Sequence, residues 1–284
     1  MAEKFNVKKE GTLLVFLFET LQGWSKKKIK ERLKGASVAV NGTVTTQHDF
    51  PLHIHDSVEV GVVQKHNKLN TLRSLEIIYQ DSDLIAIHKP AGLLSVGTKQ
   101  ENKQHALAIL RNQLSNRRKR ITIFPVHRLD RETSGVLLFA TSKKIRESVM
   151  KNWHRSEKVY LAIVNGIPTE SKGTINQALR LDEKIYKMHV GEHPKAQKAI
   201  THYEVKESSS SRSLLEVKLE TGRQHQIRAH LSWLGNSIIG DERYGVKGER
   251  MGLHATELTI IHPKQKKPLS FQVDAPTDFY ALLK

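Results

Sequence analysis

Residues 127–140 read HRLDRETSGVLLFA, the segment of the chain in which candidate reactive groups are most concentrated. Its second part, residues 136–140, is a continuous apolar run of the kind found in buried strands. A polar loop that leads onto a buried strand is a common way for a scaffold to present reactive groups. Asp130 stands between Arg128 and Arg131, whose positive charges favour a carboxylate. Asp130 is therefore a candidate base or nucleophile, and a turn held by surface ion pairs is the alternative interpretation.

A second segment rich in polar and charged residues, TGRQHQIRAHL, covers residues 221–231. Its periodicity predicts a helix over residues 224–234 with an apolar face toward the core. Such a helix would place Arg228 one turn beyond Gln224 on the same face. The two histidines of the segment are five residues apart, not the four of a helical zinc pair, so no metal site is expected here.

Several enzyme classes lack their signatures in this chain. The sequence contains no GxxxxGK[ST] phosphate loop, no GxGxxG fingerprint, no GxSxG nucleophile elbow and no cysteine. A glycosidase needs two facing carboxylates, and Glu132 would point away from Asp130 in an extended segment. One principal carboxylate in a basic protein remains.

The chain from residue 75 onward has the pattern of strands joined mostly by turns. Helices are predicted near residues 104–114, 144–154 and 224–234. This combination predicts an α+β domain with a mixed, largely antiparallel sheet over residues 75–284. The predicted strands cover residues 76–79, 84–88, 136–140, 159–164, 202–205, 214–219, 258–261 and 269–273.

The N-terminal residues 1–65 predict a separate small α+β module. Two short helices are expected between residues 12 and 34, with Gly23 between them and Ser25 as the N-cap of the second. Residues 37–40 alternate like a strand and run into Asn41-Gly42, a tight hairpin turn. The polar residues 66–74 are the expected linker.

The charge of the chain predicts a polyanionic partner. The 46 Lys and Arg residues exceed the 29 Asp and Glu residues by 17, which favours a polyanionic partner, with solubility alone as the alternative interpretation. The basic residues cluster within residues 26–34, 117–120 and 143–158, which favours nucleic acid over a generic solvated surface. No cluster has the broad apolar opposite face of a membrane-surface helix.

The start of the chain and its apolar runs indicate location. Residues 1–11 lack the order of a signal peptide, and the apolar runs are too short to span a bilayer. We therefore expect a soluble cytoplasmic protein.

The two segments that contain Asp130 and Arg228 resemble known motifs. Residues 127–135 resemble the HRLDxxTSG signature of the RluA-type pseudouridine synthases, and residues 221–230 resemble that family's TGRxHQIRxH block. The N-terminal module is similar to the RNA-binding domain of the ribosomal protein S-four type, although residues 11–14, GTLL, depart from its usual opening. The resemblance extends to HKPAG at 88–92, KVYLAIVNG at 158–166, IIGDERYG at 238–245 and LHATELTIIHP at 253–263.

The resemblance implies a set of site residues. Asp130 corresponds to the catalytic aspartate, Arg228 to the arginine that pairs with it, and Tyr160 to a tyrosine that packs on the target base. Arg128 corresponds to the residue that fills the gap left by a flipped nucleotide. We expect RNA contacts from His127, Arg128, Arg223, Gln224, His225, Lys26, Lys27 and Lys30.

The function implied by the resemblance is isomerisation of uridine to pseudouridine in structured RNA, with ribosomal RNA ranked before transfer RNA. The reaction is redox-neutral and adds no group, so neither metal nor cofactor is expected, and a monomer is expected to suffice. Two alternatives remain open at this point. One is a non-catalytic RNA-binding or ribosome-assembly protein, and the other is a phosphodiester nuclease, which would normally carry clustered metal ligands.

Overall fold

A computed structural model shows two compact units, Met1–Thr71 and Leu72–Lys284. Part of the predicted linker, residues 66–73, and the basic block 117–120 lie outside the described residues. Within the described residues, no helix is long and apolar enough to cross a membrane. The described residues are 3–34, 37–61, 74–98, 104–115 and 121–284.

The N-terminal unit contains two helices and a four-stranded antiparallel sheet in the order β1-β6-β3-β4. Both predicted helices are confirmed. The backbone N–H of Lys28 donates to Ser25 Oγ at 3.2 Å, which caps the second helix, and Ile29 is buried. Asn41 and Gly42 both have positive φ, as the predicted hairpin turn requires. The elements are β1 (Glu3–Asn6), β2 (Gly11–Thr12), α1 (Leu13–Thr20), α2 (Lys26–Lys34), β3 (Val38–Val40), β4 (Thr43–Val44), β5 (Pro51–Leu52) and β6 (Ser57–Val60).

The larger unit is built on a ten-stranded sheet. Its main path runs β12-β15-β16-β11-β17-β10-β8-β7, β18 pairs with β17, and β9 pairs with β10. Only the β10–β17 pair is parallel among the pairs described, so the predicted mixed, largely antiparallel α+β fold is confirmed. The elements are β7 (Glu76–Gln80), β8 (Leu84–Lys89), α3 (Ala106–Leu114), β9 (Phe124–Pro125), β10 (Ser134–Ala140), α4 (Lys143–Lys151), a 3-10 turn (Trp153–Arg155), β11 (Glu157–Asn165), β12 (Lys172–Asn176), β13 (Leu179–Asp182), β14 (Lys187–Val190), β15 (Ile200–Ser208), β16 (Arg212–Leu219), α5 (Gln226–Trp233), β17 (Leu253–Ile261), β18 (Pro268–Gln272), α6 (Thr277–Tyr280) and a second 3-10 turn (Ala281–Leu283).

Strand β10 lies inside the sheet and is buried along its whole length. Gly135 allows its close approach to β17, because a Cβ there would lie 2.1 Å from the carbonyl oxygen of Ala255. The polar loop of residues 126–133 precedes this strand, so the core of the sheet fixes the end of the loop.

The two faces of β11 are covered by different helices. Ala162 and Val164 pack against α5 residues, among them Ile227, on one face. Ile163 packs against Phe279 of α6 on the other face. Because side chains alternate along a strand, the remaining even-numbered residues of β11 continue the face that α5 covers.

Candidate active site

The backbone on both sides of Asp130 is fixed by buried polar side chains. Ser95 Oγ accepts a hydrogen bond from the Leu129 N–H at 3.0 Å and donates to the Leu129 carbonyl at 2.7 Å. Lys89 Nζ donates to the carbonyl oxygens of Arg131, Leu93 and Pro90 at 3.0, 2.7 and 2.9 Å. These contacts hold the loop that presents Asp130.

Lys89 is fully buried in this position. Burial lowers the pKa of its ammonium to about 7, and the negative charges of Glu132 and Asp130 oppose that shift. Its three donors each have a carbonyl acceptor, which compensates in part for the loss of hydration. Neither the position nor the role of Lys89 was predicted, although it lies within the HKPAG block of the resemblance.

Asp130 forms an ion pair with Arg228, whose Nη1 lies 2.8 Å from its Oδ2. The other two nitrogens of Arg228 bind both oxygens of Asp241, with Nε at 2.7 Å and Nη2 at 2.8 Å. Burial lowers the pKa of Arg228, but the carboxylates of Asp241 and Asp130 outweigh that effect and raise it overall. Arg228 is thus a permanent cation that bridges two carboxylates.

Asp241 is itself firmly held. Its side chain is fully buried, and Oδ1 also accepts the backbone N–H groups of Arg243 and Tyr244 at 3.0 and 3.2 Å. The ring of Tyr244 lies under the guanidinium of Arg228 at 5.2 Å. Sequence reasoning missed Asp241 as a site residue, and its signal was its place in the IIGDERYG block.

The prediction that Gln224 and His225 lie in a helix with Arg228 is wrong, because α5 begins at Gln226. His225 adopts a left-handed backbone with φ of 49°, which ends the preceding turn. The buried side chain of Gln226 fixes that turn, since its Oε1 accepts the N–H of Arg223 at 2.9 Å. Gln224 therefore stands in the turn before the helix rather than on its face.

His225 nevertheless reaches the acidic centre. Its Nδ1 lies 3.0 Å from the hydroxyl of Tyr244, and its Nε2 lies 3.8 Å from Oδ2 of Asp130. Burial lowers the pKa of His225, while the charge of Asp130 raises it. His230 is engaged elsewhere, with Nδ1 at 2.8 Å from Thr201 Oγ1 and Nε2 at 2.9 Å from the carbonyl of Gln177.

Asp130 lies on the wall of two cavities. One, of about 530 Å³, is also lined by Tyr160, Arg228 and Lys158. Burial raises the pKa of the Tyr160 phenol, and the charge of Asp130 raises it further, so the ring is a neutral surface of this cavity. The other cavity, of about 980 Å³, is lined by the same ion pair and by several more cations.

The residues of the larger unit that are predicted to contact RNA lie around these cavities. Arg128, Gln224 and His225 line both of them. Arg223 is exposed at the smaller cavity, where its Nε donates to the carbonyl of Lys198 at 3.1 Å. The structure therefore brings these side chains together with Asp130.

The side chain of His127 makes structural contacts on one side. Its Nε2 accepts the N–H of Leu138 at 3.2 Å, and its ring packs on Trp153 with centroids 5.5 Å apart. Burial lowers the pKa of His127 to about 4, with a further contribution from the charge of Lys158. The imidazole is thus a neutral group on the wall of the smaller cavity.

The basic residues predicted for the N-terminal unit lie on its surface. Lys26, Lys27 and Lys30 are exposed on α2. The Nζ of Lys28, on the same helix, lies 4.0 Å from the ring centroid of Trp24. The helix therefore presents cations and an aromatic ring together.

Comparison with known proteins identifies the family and the relatives of this chain. Residues 83–233 match the family described as RNA pseudouridylate synthase. The tRNA pseudouridine synthase C of Vibrio parahaemolyticus is 36% identical over 217 residues, covering 66% of this chain and 85% of that protein. An uncharacterized RNA pseudouridine synthase of Bacillus subtilis, YlyB, is 29% identical over 280 residues, covering 94% of this chain and 91% of that protein.

A solved structure agrees with these relatives. Human RNA pseudouridylate synthase domain containing 4 superposes with a TM-score of 0.61 at 28% identity, over 76% of this chain and 93% of that one. The resemblance to RluA-type enzymes is thereby confirmed for the larger unit. The chain belongs to the RNA pseudouridylate synthase family and is an RNA-modifying isomerase.

Proposed function

We propose that Asp130 is the catalytic aspartate and that the target uridine enters the smaller cavity beside it. The observation that carries this proposal is the 2.8 Å ion pair between Asp130 and Arg228 on the wall of a cavity that Tyr160 also lines. The cavity brings together a carboxylate for the sugar and an aromatic ring for the base. The side chain of Asp130 remains 29% exposed, so a substrate has access to it.

Each partner then has a distinct part in the reaction. Arg228 stabilises the negative charge of Asp130 and fixes its orientation, because Asp241 holds the guanidinium in place. The neutral ring of Tyr160 packs on the uracil, and its hydroxyl relays the proton that leaves the base carbon to solvent water. The glycosidic bond breaks at the nitrogen and is remade at carbon, which conserves all atoms of the nucleotide.

The nucleotide must leave its stack to reach Asp130. Extruding a base costs a few kcal/mol, which protein contacts have to offset. Arg128 is exposed next to Asp130 and fills the gap that the base leaves. His127, Arg223, Gln224 and His225 contact the RNA around the same opening.

The N-terminal unit serves as an RNA-binding module of the ribosomal protein S-four type in this proposal. Its support is α2, where Ile29 is buried while Lys26, Lys27 and Lys30 are exposed. Cations on one helix face suit a phosphate backbone. We propose the organisation of the sequence analysis, with the module over residues 1–65, a linker over 66–74 and the catalytic domain over 75–284.

The substrate is a structured RNA, and two classes compete. The basic second helix favours a structured RNA without choosing between them. We rank ribosomal RNA before transfer RNA, whereas several relatives are named for transfer RNA. The enzyme acts as a monomer in the cytoplasm in this proposal, where both RNA classes are found.

The test is a map of pseudouridine in total RNA from three strains: one with the gene, one without it, and one that carries the Asp130→Asn variant. The proposal expects one or more positions that lose pseudouridine without the gene and do not regain it with the variant. Their location in ribosomal or transfer RNA identifies the substrate. Identical maps in the first two strains would favour a non-catalytic RNA-binding protein instead.

A further inference from the structure

The residue Lys158 is largely buried, its ammonium keeps some accessible surface, and no described residue supplies an anion for it. Its residue exposure is 8%, and its Nζ lies 5.7 Å from the centroid of the Trp153 ring. Within the described part of the chain, no carboxylate pairs with this ammonium and no oxygen accepts a hydrogen bond from it. Burying an unpaired charge is unfavourable, and burial correspondingly lowers the pKa of Lys158. A ligand could therefore supply the anionic or hydrogen-bonding partner that the Lys158 ammonium lacks in the protein.

The direction of the side chain follows from the strand. Lys158, Tyr160 and Ala162 alternate along β11 and share the face that α5 covers. Lys158 and Tyr160 both line the cavity of about 530 Å³ that contains Asp130. The ammonium thus lies in the same cavity as the Tyr160 ring on which the base is proposed to pack.

Two other cations of this cavity, Arg228 and Arg146, already bind protein atoms, whereas Arg128 is exposed on its wall. Arg228 bridges Asp130 and Asp241. The Nε of Arg146 donates to the carbonyl of Pro125 at 2.9 Å. Lys158 differs from Arg228 and Arg146 because its donors remain available to a ligand, and from Arg128 because the residue is largely buried.

The reaction itself produces a negative charge at this place. When the C1′–N1 bond breaks, its electron pair stays on N1, and the uracil becomes an anion whose charge spreads to O2 and O4. A pair from the base then forms the C1′–C5 bond, the C5 proton leaves, and N1 takes up a proton. The base is anionic between these steps whether Asp130 attacks the sugar or removes a sugar proton.

We propose that Lys158 is a further catalytic residue, whose ammonium donates to a carbonyl oxygen of the target uracil and stabilises the negative charge on the departing base. The inference rests on the proposed function of Asp130. A fixed cation in a partly dehydrated cavity is effective because it need not reorganise when the charge develops. A phosphate of the same nucleotide is the competing acceptor, and the test separates the two.

The experiment uses the full chain and unmodified transcripts of ribosomal and transfer RNA labelled with tritium at C5 of uridine. Tritium release under single turnover at saturating enzyme gives the rate constant for chemistry, and filter binding gives Kd. Lys158→Met is compared with Lys158→Arg and with Lys218→Met. Lys218 is a matched control because it lies on the adjacent strand opposite Val159, with a side chain that is 61% exposed.

The expected result for Lys158→Met is a rate constant lower by about 100-fold with Kd changed by less than about threefold. Lys158→Arg should recover most of the rate, since it restores a cation, and Lys218→Met should behave as wild type. A weaker Kd with an unchanged rate constant would overturn the inference in favour of the phosphate. An unchanged rate and Kd would overturn it outright.

Two controls separate the possible failures. Urea unfolding of Lys158→Met should give a free energy no lower than that of wild type, since the charge removed was unpaired. Lys158→Arg, which keeps the charge, serves as the second variant if the methionine variant does not fold, and a rate as low as that of Asp130→Asn would then overturn the inference. If Asp130→Asn releases tritium at the wild-type rate, the proposed function fails instead.

Discussion

Arg228 presents only one of its three nitrogens to Asp130, at 2.8 Å, whereas the other two bind Asp241. The orientation of the arginine is therefore set from behind by a buried carboxylate, and Asp130 stays accessible on the opposite side. Asp130, the carboxylate that we assign to the chemistry, is therefore distinct from Asp241, the carboxylate that holds Arg228 in place. It also means that neutralising Asp130 leaves Arg228 anchored.

Asp241→Asn tests the anchor. The change leaves Arg228 buried with a weakened partner, and breaking a buried ion pair costs about 3 kcal/mol. We expect the free energy of unfolding in urea to fall by about that amount, with a lower single-turnover rate because Asp130 loses its aligned cation. Glu242→Gln is the control, since Glu242 is 72% exposed and pairs with Lys247 at 3.7 Å. A variant of Asp241 as stable and active as wild type would contradict this role.

Lys89→Met tests the support of the loop. The methionine fills similar space but leaves three carbonyl groups without their donor, which we expect to lower the free energy of unfolding by about 3 kcal/mol. The rate constant should fall about tenfold or more, because the loop that carries Asp130 loses its tie at Arg131. Lys143→Met, at a residue whose side chain is 76% exposed, should change neither quantity.

The sequence predicted the elements whose local signals agree with their packing. The α2 helix has an N-cap at Ser25 and an apolar stripe, and β10 is a continuous apolar run. Strands β13 and β14 escaped prediction because each has only four residues. Their apolar and polar side chains alternate, but over too short a run to stand out from the surrounding polar sequence. The start of α5 was misplaced because Gln226 fixes the turn through long-range bonds to Ile200 and Thr201.

The site was predictable only in part for a similar reason. Asp130 stood out through its local charge pattern, and resemblance pointed to Tyr160 and Arg228. The ion pair of Asp241 with Arg228 and the hydrogen bond of Lys89 to the Arg131 carbonyl are tertiary contacts, and no local sequence pattern marks them. Such partners appear only when the fold brings the segments that carry them together.

The acid dependence of stability provides a test through His254, which is fully buried. Its Nδ1 lies 2.9 Å from Ser134 Oγ and its Nε2 lies 3.1 Å from the Val273 carbonyl. Burial lowers its pKa from 6.5 to about 4. Between these pH values the unfolded chain binds more protons than the folded one, so the free energy of unfolding falls as the pH falls from 6.5 to 4.

The contribution of this histidine can be isolated by substitution. His254→Gln removes the titrating group, so its stability should fall less than that of wild type over the same window, by up to about 3 kcal/mol. Urea unfolding at several pH values measures both proteins. Parallel pH profiles of the two would show that another group carries the dependence.

Removing the exposed lysines of α2 should weaken the affinity for RNA without slowing the chemical step. Replacing Lys26, Lys27 and Lys30 by alanine should raise the Kd for RNA about tenfold at moderate salt and reduce the slope of log Kd against log salt by about 2. The single-turnover rate constant at saturating enzyme should stay within about twofold of wild type. Glu31→Gln, an exposed neighbour on the same helix, should not weaken binding. Equal losses of affinity and rate would place these lysines in the reaction itself.

The most direct test of the account is tritium release by Asp130→Asn from transcripts labelled at C5 of uridine, with RNA affinity and urea unfolding measured on the same preparation. We predict a rate lower by about a thousandfold or more, with Kd and the free energy of unfolding close to those of wild type, because Asp241 still anchors Arg228. Tritium release at a rate near that of wild type would contradict the central role of Asp130.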